Sequence, residues 1–292
     1  MNVIFKITNR NIKLYLRNKS AVFFSFLSMI IIIGLFALFL GDMLVQQLMY
    51  EYEAEEGVKW LVNAWIMGGI IAVNAVTITI ATLSIMVEDK ERRYIKDFIV
   101  APIKRSYIVM GYILSSIILG VVLTIISFIA AQLYVLSVGG QLLAFVDIIK
   151  IIIGIIFTVL AISSIAFLGF TFINSEKTVS IVSAIVGTLI GFLVGVYVPI
   201  GIMPTFIQRA IKFIPITYSA AIFKEIFTRE PVKLVFANAP SEVLHEYDVF
   251  MGNVLVIGNN QLNYISLLGI LFATSVVFFA LSVIRVSRMK NG

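Results

Sequence analysis

A chain of 292 residues that is 60% hydrophobic and only 13% charged has too little polar surface for a soluble domain, which usually carries about a quarter charged residues. It is read as a membrane protein. The absence of cysteine excludes a disulfide framework and a thiolate metal site, and the single His245 excludes a multi-histidine metal centre. The net charge of +6 is segregated into segments that flank apolar runs, so it orients the chain in a bilayer and implies no nucleic-acid partner.

In chain order, the first feature is a basic stripe. Lys6, Arg10, Lys13 and Arg17 recur at spacings of four, three and four, so a helix over residues 1–20 aligns them on one face. Phe5, Ile12, Tyr15 and Leu16 fall largely opposite. The expectation is an amphipathic interfacial helix with its basic face toward anionic headgroups of membrane lipids; the competing reading is a solvated flank of the first span.

Six apolar runs without charge follow, at about 21–41, 61–87, 107–137, 151–173, 178–198 and 263–284. Every Lys, Arg, Asp and Glu lies outside them, as a cost of roughly 2.5 to 3.5 kcal/mol per charge at a helix centre would select. The first run is too long for a signal-peptide core and no small-x-small cleavage site follows it, so it is taken as an uncleaved span.

Basic residues stay cytoplasmic. The N-terminal segment holds Lys6, Arg10, Lys13, Arg17 and Lys19, the segment 88–106 holds six Lys and Arg, and the tail holds Arg285, Arg288 and Lys290. Residues 42–60 carry five acids against Lys59 alone. Both termini and the loop 88–106 are therefore expected inside, and 199–262 outside.

Within the fifth run, Gly187, Gly191 and Gly195 stand at four-residue spacing, extended backward by Ser183. Such a face lets another backbone approach closely, either inside the chain or across a dimer seam. Next comes "YVPIGIMPTFIQRAIKFIPITYSAAIFKEIF", apolar enough for membrane depth but broken by Pro199, Pro204 and Pro215. A re-entrant pair of half-helices fits it, with an interfacial loop as the alternative. Residues 228–262 contain β-prone runs around Pro240 and Gly252, suggesting a small external hairpin, with His245 an ordinary surface residue.

The stretch "EDKERRYIKDFIVAPIKRS" packs ten charged side chains into residues 88–106. Ile95, Phe98 and Ile99 stand at i, i+3, i+4, so a short helix ending before Pro102 would show one apolar face among charges. Such a face suits docking to a partner, or equally a membrane surface. No phosphate-binding loop, dinucleotide fingerprint, H-E-x-x-H or G-x-S-x-G occurs, so the chain has no visible ATPase or hydrolase site. No ionisable side chain lies inside a predicted span, which disfavours an ion-coupled carrier.

The run "KERRYIKDFIVAPIKRSYIVMGYIL" resembles the signature of ABC type-2 transporter permeases. Glu91 and Arg92 match its leading acidic-basic pair, Ile95, Phe98 and Ile99 its apolar helix, and Ala101 with Pro102 its closing step. Where that family usually has Gly-Thr, this chain has Arg93 and Tyr94. A second stretch, "IMPTFIQRAIKFIPITYSAAIFKEIF", is similar to the pattern of Pro, apolar-aromatic helix, Pro-x-Thr-Tyr and a later basic residue. Pro204, Pro215, Thr217 and Tyr218 match, with Lys224 where Arg is more usual.

The resemblance implies an all-α polytopic membrane protein. It would have an N-terminal interfacial helix (1–20), one six-helix domain (21–292), a re-entrant segment before the last span, and cytoplasmic termini. It further implies the permease subunit of an ATP-driven exporter in a bacterial plasma membrane, dimeric with itself or a paralogue. The chain would carry no cofactor, with ATP and magnesium bound by a separate cassette ATPase. Loop 88–106 would be the ATPase-coupling helix, through Glu88, Glu91, Arg92, Ile95, Phe98, Ile99 and Pro102. Pro204, Phe206, Pro215, Thr217 and Tyr218 would form an external gate. A channel or carrier acting alone, and a non-transporting sensor or assembly subunit, are the competing readings. An amphiphilic cargo, a peptide, drug or lipid-like molecule, is expected.

Overall fold

The computed structural model describes residues 2–36, 38, 41–52, 57–94, 104–258 and 260–288. They form helices α1 (Asn2–Arg17), α2 (Lys19–Leu35), α3 (Gly41–Tyr52), α4 (Val58–Glu91), α5 (Arg105–Ser137), α6 (Phe145–Phe170) and α7 (Glu176–Leu193). After a single 3-10 turn at Ile200–Ile202 come α8 (Thr205–Ile211), α9 (Pro215–Val235), α10 (Ser241–Met251) and α11 (Tyr264–Arg288). Two antiparallel two-residue strands, β1 (Val256–Ile257) and β2 (Asn260–Gln261), precede α11.

Five helices, α4 through α7 and α11, are long and apolar enough to cross a membrane. A sixth candidate is the pair α1 and α2, bent by 76°. The bend has a local cause. Asn18 leaves helical geometry and its side chain accepts from the Ala21 amide at 3.0 Å, capping α2 and ending α1.

At the centre stands α4, apolar on every side and packed against α2, α3, α5, α6, α7 and α9. A helix without a polar face belongs in the middle of a bundle. Association between spans gains little from the hydrophobic effect in lipid, so small hydroxyls join the core helices instead. Asn74 donates to Ser127 (3.1 Å), Thr82 and Ser116 pair at 3.0 Å, Ser116 meets Ser163 at 3.2 Å, and Thr158 donates to Ser219 (2.8 Å).

The register of α9 places it inside the bundle. Arg229 pairs with Asp147 (2.5 Å), Phe223 crowds Gly154, and Ser219 meets Thr158. Thr158 lies thirteen residues beyond Phe145, about 20 Å along α6 at 1.5 Å per residue. The first turn of α9 therefore starts deep among the spans and the helix climbs back toward the end where α6 begins.

The stretch 228–262 holds the small hairpin expected of it only near its end. Its first eight residues continue α9 across Pro231, and 241–251 are helical as α10. The only strand pairing among the described residues is the four-residue ladder at 256–261. Contacts of Val232, Tyr247 and Met251 with the core outweigh the local β-preference of their side chains. The loop expected at 42–60 likewise contains α3. His245, on α10, is exposed as expected.

Candidate functional site

The charged segment opens on the last turn of α4, and each of its first side chains has a defined place. The Asp89 carboxylate, 3% exposed, accepts two bonds from the Arg10 guanidinium (2.6 and 2.7 Å) and one from the Tyr112 hydroxyl (2.5 Å). A fork-to-carboxylate pair of this kind fixes direction as well as distance. It ties α1 and α5 to the end of α4.

Lys90 turns the other way. Its ammonium donates to the carbonyls of Thr171 (3.0 Å) and Ile173 (2.9 Å), at the end of α6. Glu91 accepts from the Glu176 amide at 2.6 Å, at the start of α7. A cation thus meets the negative end of one helix dipole and an anion the positive end of the next. Glu88 and Arg92 pair with each other at 2.9 Å, Arg92 exposed and Glu88 half-buried. Three consecutive residues, Asp89 to Glu91, therefore grip four helices.

Arg285, near the end of α11, stacks over the Phe172 ring at 4.7 Å, so the first and last helices meet the same end of α4. Past Arg92 the backbone turns left-handed at Arg93, with φ of 64°. This is the position where the resembled signature has glycine, which takes that conformation at least cost. Ile95, Phe98, Ile99 and Pro102 lie outside the described residues.

Away from the Asp89 end, Pro204 precedes the first residue of α8 and Pro215 is the first residue of α9, positions where a missing amide proton costs nothing. Thr217 donates to the Ile211 carbonyl (2.8 Å) and Tyr218 to that of Lys212, closing the turn between the two helices. Lys212 reaches the Val256 carbonyl at 2.6 Å. Phe206 points outward, 71% exposed.

The family model for ABC-2 type transporter matches residues 2–228, from the first turn of α1 into α9. The chain belongs to the ABC-2 type transporter family. As an ABC-2 permease it is a multi-pass membrane protein whose family supplies the membrane domain and not the ATPase site. No curated protein matches it.

Other predicted features of the ABC-2 chain fall differently. Lys6, Lys13 and Arg17 are exposed on α1, but Arg10 leaves the stripe for Asp89. The buried face of α1 is Ile7, Thr8, Asn11 and Tyr15, set against α5 through Thr8 to the Gly111 carbonyl (3.3 Å) and Asn11 to Ser115 (3.3 Å). Phe5 and Leu16 stay exposed.

The three spaced glycines do not form one packing face. A Cβ on Gly187 would meet only Thr77, at 3.9 Å, Gly191 is covered by the Tyr197 ring of its own chain, and Gly195 lies beyond α7 with φ of 70°. Close backbone approach occurs instead at Gly68 of α4, where a Cβ would stand 2.8 Å from the Lys224 backbone. The adjacent glycines 68 and 69 were the sequence signal for that contact. The pairing of Arg10 with Asp89 had none, because 79 residues separate the partners.

Proposed function

We propose that this chain is the permease subunit of an ATP-binding cassette exporter of a bacterial plasma membrane. It works as a dimer with a second permease copy or paralogue and moves an amphiphilic peptide, drug or lipid-like cargo outward. A separate cytoplasmic cassette ATPase binds and hydrolyses ATP with magnesium. The basic end of the bundle, with both termini and loop 88–106, faces the cytoplasm, in keeping with the excess of Lys and Arg there.

One observation carries this reading: the root of the loop is bound to α1, α5, α6 and α7 through Asp89, Lys90 and Glu91. A push on the loop that follows Arg92 reaches all four helices at once, without a flexible joint at the root. Coupling needs such stiffness, because turning a two-state path from mostly closed to mostly open takes about 5.5 kcal/mol of differential binding. In this reading the apolar face of Ile95, Phe98 and Ile99 fills a cleft of the ATPase, and Glu88 with Arg92 sets the register at its rim. The segment around Pro204, Phe206, Pro215, Thr217 and Tyr218 forms the external gate.

Phe98→Asp tests the coupling role. The variant should reach the membrane at normal level, lose co-purification of the ATPase and lose ATP-driven transport by about a hundredfold, as truncation of an interface hot spot does. Normal docking and turnover in that variant would refute the assignment. Nucleotide-independent ion flux from the purified chain in liposomes would instead favour a channel.

A further inference from the structure

Lys224 is fully buried, at 0% exposure, beside the midpoint of α9. Among the described residues no carboxylate pairs with it. Its ammonium donates to the carbonyls of Val194 (3.1 Å), Gly195 (2.6 Å) and Met251 (3.4 Å) and lies 4.4 Å from the centre of the Trp65 ring. Three acceptors match the three protons of an ammonium, and the indole face supplies the remaining contact.

The partners come from different elements. Val194 and Gly195 are the end of α7, where carbonyls lack helical partners and the dipole is negative. Met251 is the last residue of α10, and its carbonyl also accepts from the Trp65 indole at 2.9 Å. Trp65 belongs to α4. One cation on α9 thus joins α4, α7 and α10.

Glycines make the room. A Cβ on Gly69 would approach the Lys224 Cε to 3.3 Å, and one on Gly195 would approach its Nζ to 3.3 Å. Gly195 also adopts the left-handed backbone that turns its carbonyl toward the ammonium.

A buried, unpaired cation is tolerated only while every proton has an acceptor. Its worth for bare stability is small, because an apolar side chain of similar size often does as well. What it adds is dependence on one arrangement. The ammonium is satisfied dry only when the ends of α7 and α10 converge on it; if they part, it must take up water.

We propose that Lys224 is a positioning residue that pins the ends of α7 and α10 to α4, and that hydration of its ammonium accompanies opening of this end of the bundle. Its part in cargo release rests on the transport reading above, whereas the pin itself can be tested on the chain alone.

The chain has no cysteine, so Val254→Cys, at a site 8% exposed three residues past Met251, gives a single thiol. Labelling by a water-soluble maleimide is followed on the purified full chain in nanodiscs without nucleotide. Adding Lys224→Met should raise the labelling rate about tenfold or more, the factor for losing a charge-assisted hydrogen bond from the closed arm of an opening equilibrium. Helix content and thermal midpoint should be unchanged. Trp65→Phe, which keeps the ring but loses the bond to Met251, should raise labelling severalfold.

Labelling of a folded Lys224→Met chain within twofold of its parent overturns the proposal. Should that variant not assemble, Lys224→Gln, a neutral donor, is measured against the same two outcomes. Because no nucleotide or ATPase is present, this result stands or falls apart from ATP-driven transport. If the pin is confirmed, ATP hydrolysis continuing in the complete assembly of Lys224→Met while transport falls would place it in cargo release.

Discussion

The two ends of the bundle solve the same problem, a charge out of water, with an ion pair at one and without one at the other. At the Asp89 end, Arg10 meets Asp89 as an opposite charge, Lys90 meets the carbonyl end of α6 and Glu91 the amide end of α7, so each charge has a partner of complementary sign. At the Lys224 end the cation meets only carbonyl oxygens and an indole ring. The first kind of contact costs a great deal to separate, since parting leaves two uncompensated charges. The second can be exchanged for water one carbonyl at a time.

The largest test of the contrast is Asp89→Ala. It removes the carboxylate from the Arg10 guanidinium, which is 33% exposed and keeps its bond to Asn11, and from the Tyr112 hydroxyl, and the expected loss is about 2 to 3 kcal/mol, read as a lowered unfolding midpoint in detergent. Combining Arg10→Met with Asp89→Leu should recover most of it. If Asp89→Ala unfolds no more easily than wild type, the rigid root is refuted.

Next in size is Gly68→Ala. The added methyl would press on the α9 backbone at 2.8 Å and should cost about 1 to 3 kcal/mol. Gly187→Ala, with its nearest neighbour at 3.9 Å, should stay within about 0.5 kcal/mol. Equal effects would mean that α9 does not seat on α4 as described.

Arg93→Gly should stabilise by up to about 1 kcal/mol, since glycine takes a positive φ without the steric cost borne by other residues. The same unfolding measurement resolves it. Smaller still is Ser219→Ala, which removes the hydroxyl pair with Thr158 and should cost about 0.6 kcal/mol, the usual worth of such bonds between membrane helices.

The smallest effect is a pH dependence confined to the Lys224 end. Burial pushes the Asp248 carboxyl on α10 above its ordinary 3.8, against a hydrogen bond from Asn253 that lowers it. A carboxyl that binds its proton more tightly folded than unfolded stabilises the fold at low pH. That contribution is lost as pH rises from 3.8 through the raised folded value. Asp248→Asn keeps the acceptor oxygen and should flatten this decline, as seen in unfolding midpoints measured across that range.

Much of the fold was legible because hydrocarbon rejects charge. The windows at 61–87, 107–137, 151–173 and 263–284 each lie within or close to a helix, and the breaks at Pro204 and Pro215 sit where a missing amide proton demands a helix start. The apolar run 178–198 outlasts its helix, which ends at Leu193, because Gly195 turns the chain while the residues around it remain apolar. Most of the stretch 228–262 is helical despite its β-prone side chains, because they pack on residues distant in sequence, as where Tyr52, Phe236 and Tyr247 stack together in space. The charge density of 88–106 announced a site. Which of its charges turn inward could not be read, since Arg10, Thr171 and Glu176 are distant in sequence.

By itself, the order of residues determined that this chain is a multi-pass membrane protein, which runs are apolar enough to span, and which segment carries its concentrated charge. Those outcomes follow from transfer of single side chains between water and hydrocarbon, a property each residue carries alone. Only the tertiary structure decided that Asp89, Lys90 and Glu91 lock four helices and that Lys224 rests on the open carbonyls of two others. Direction and partner belong to pairs of groups far apart in the chain, and they exist only once packing has brought both into one place.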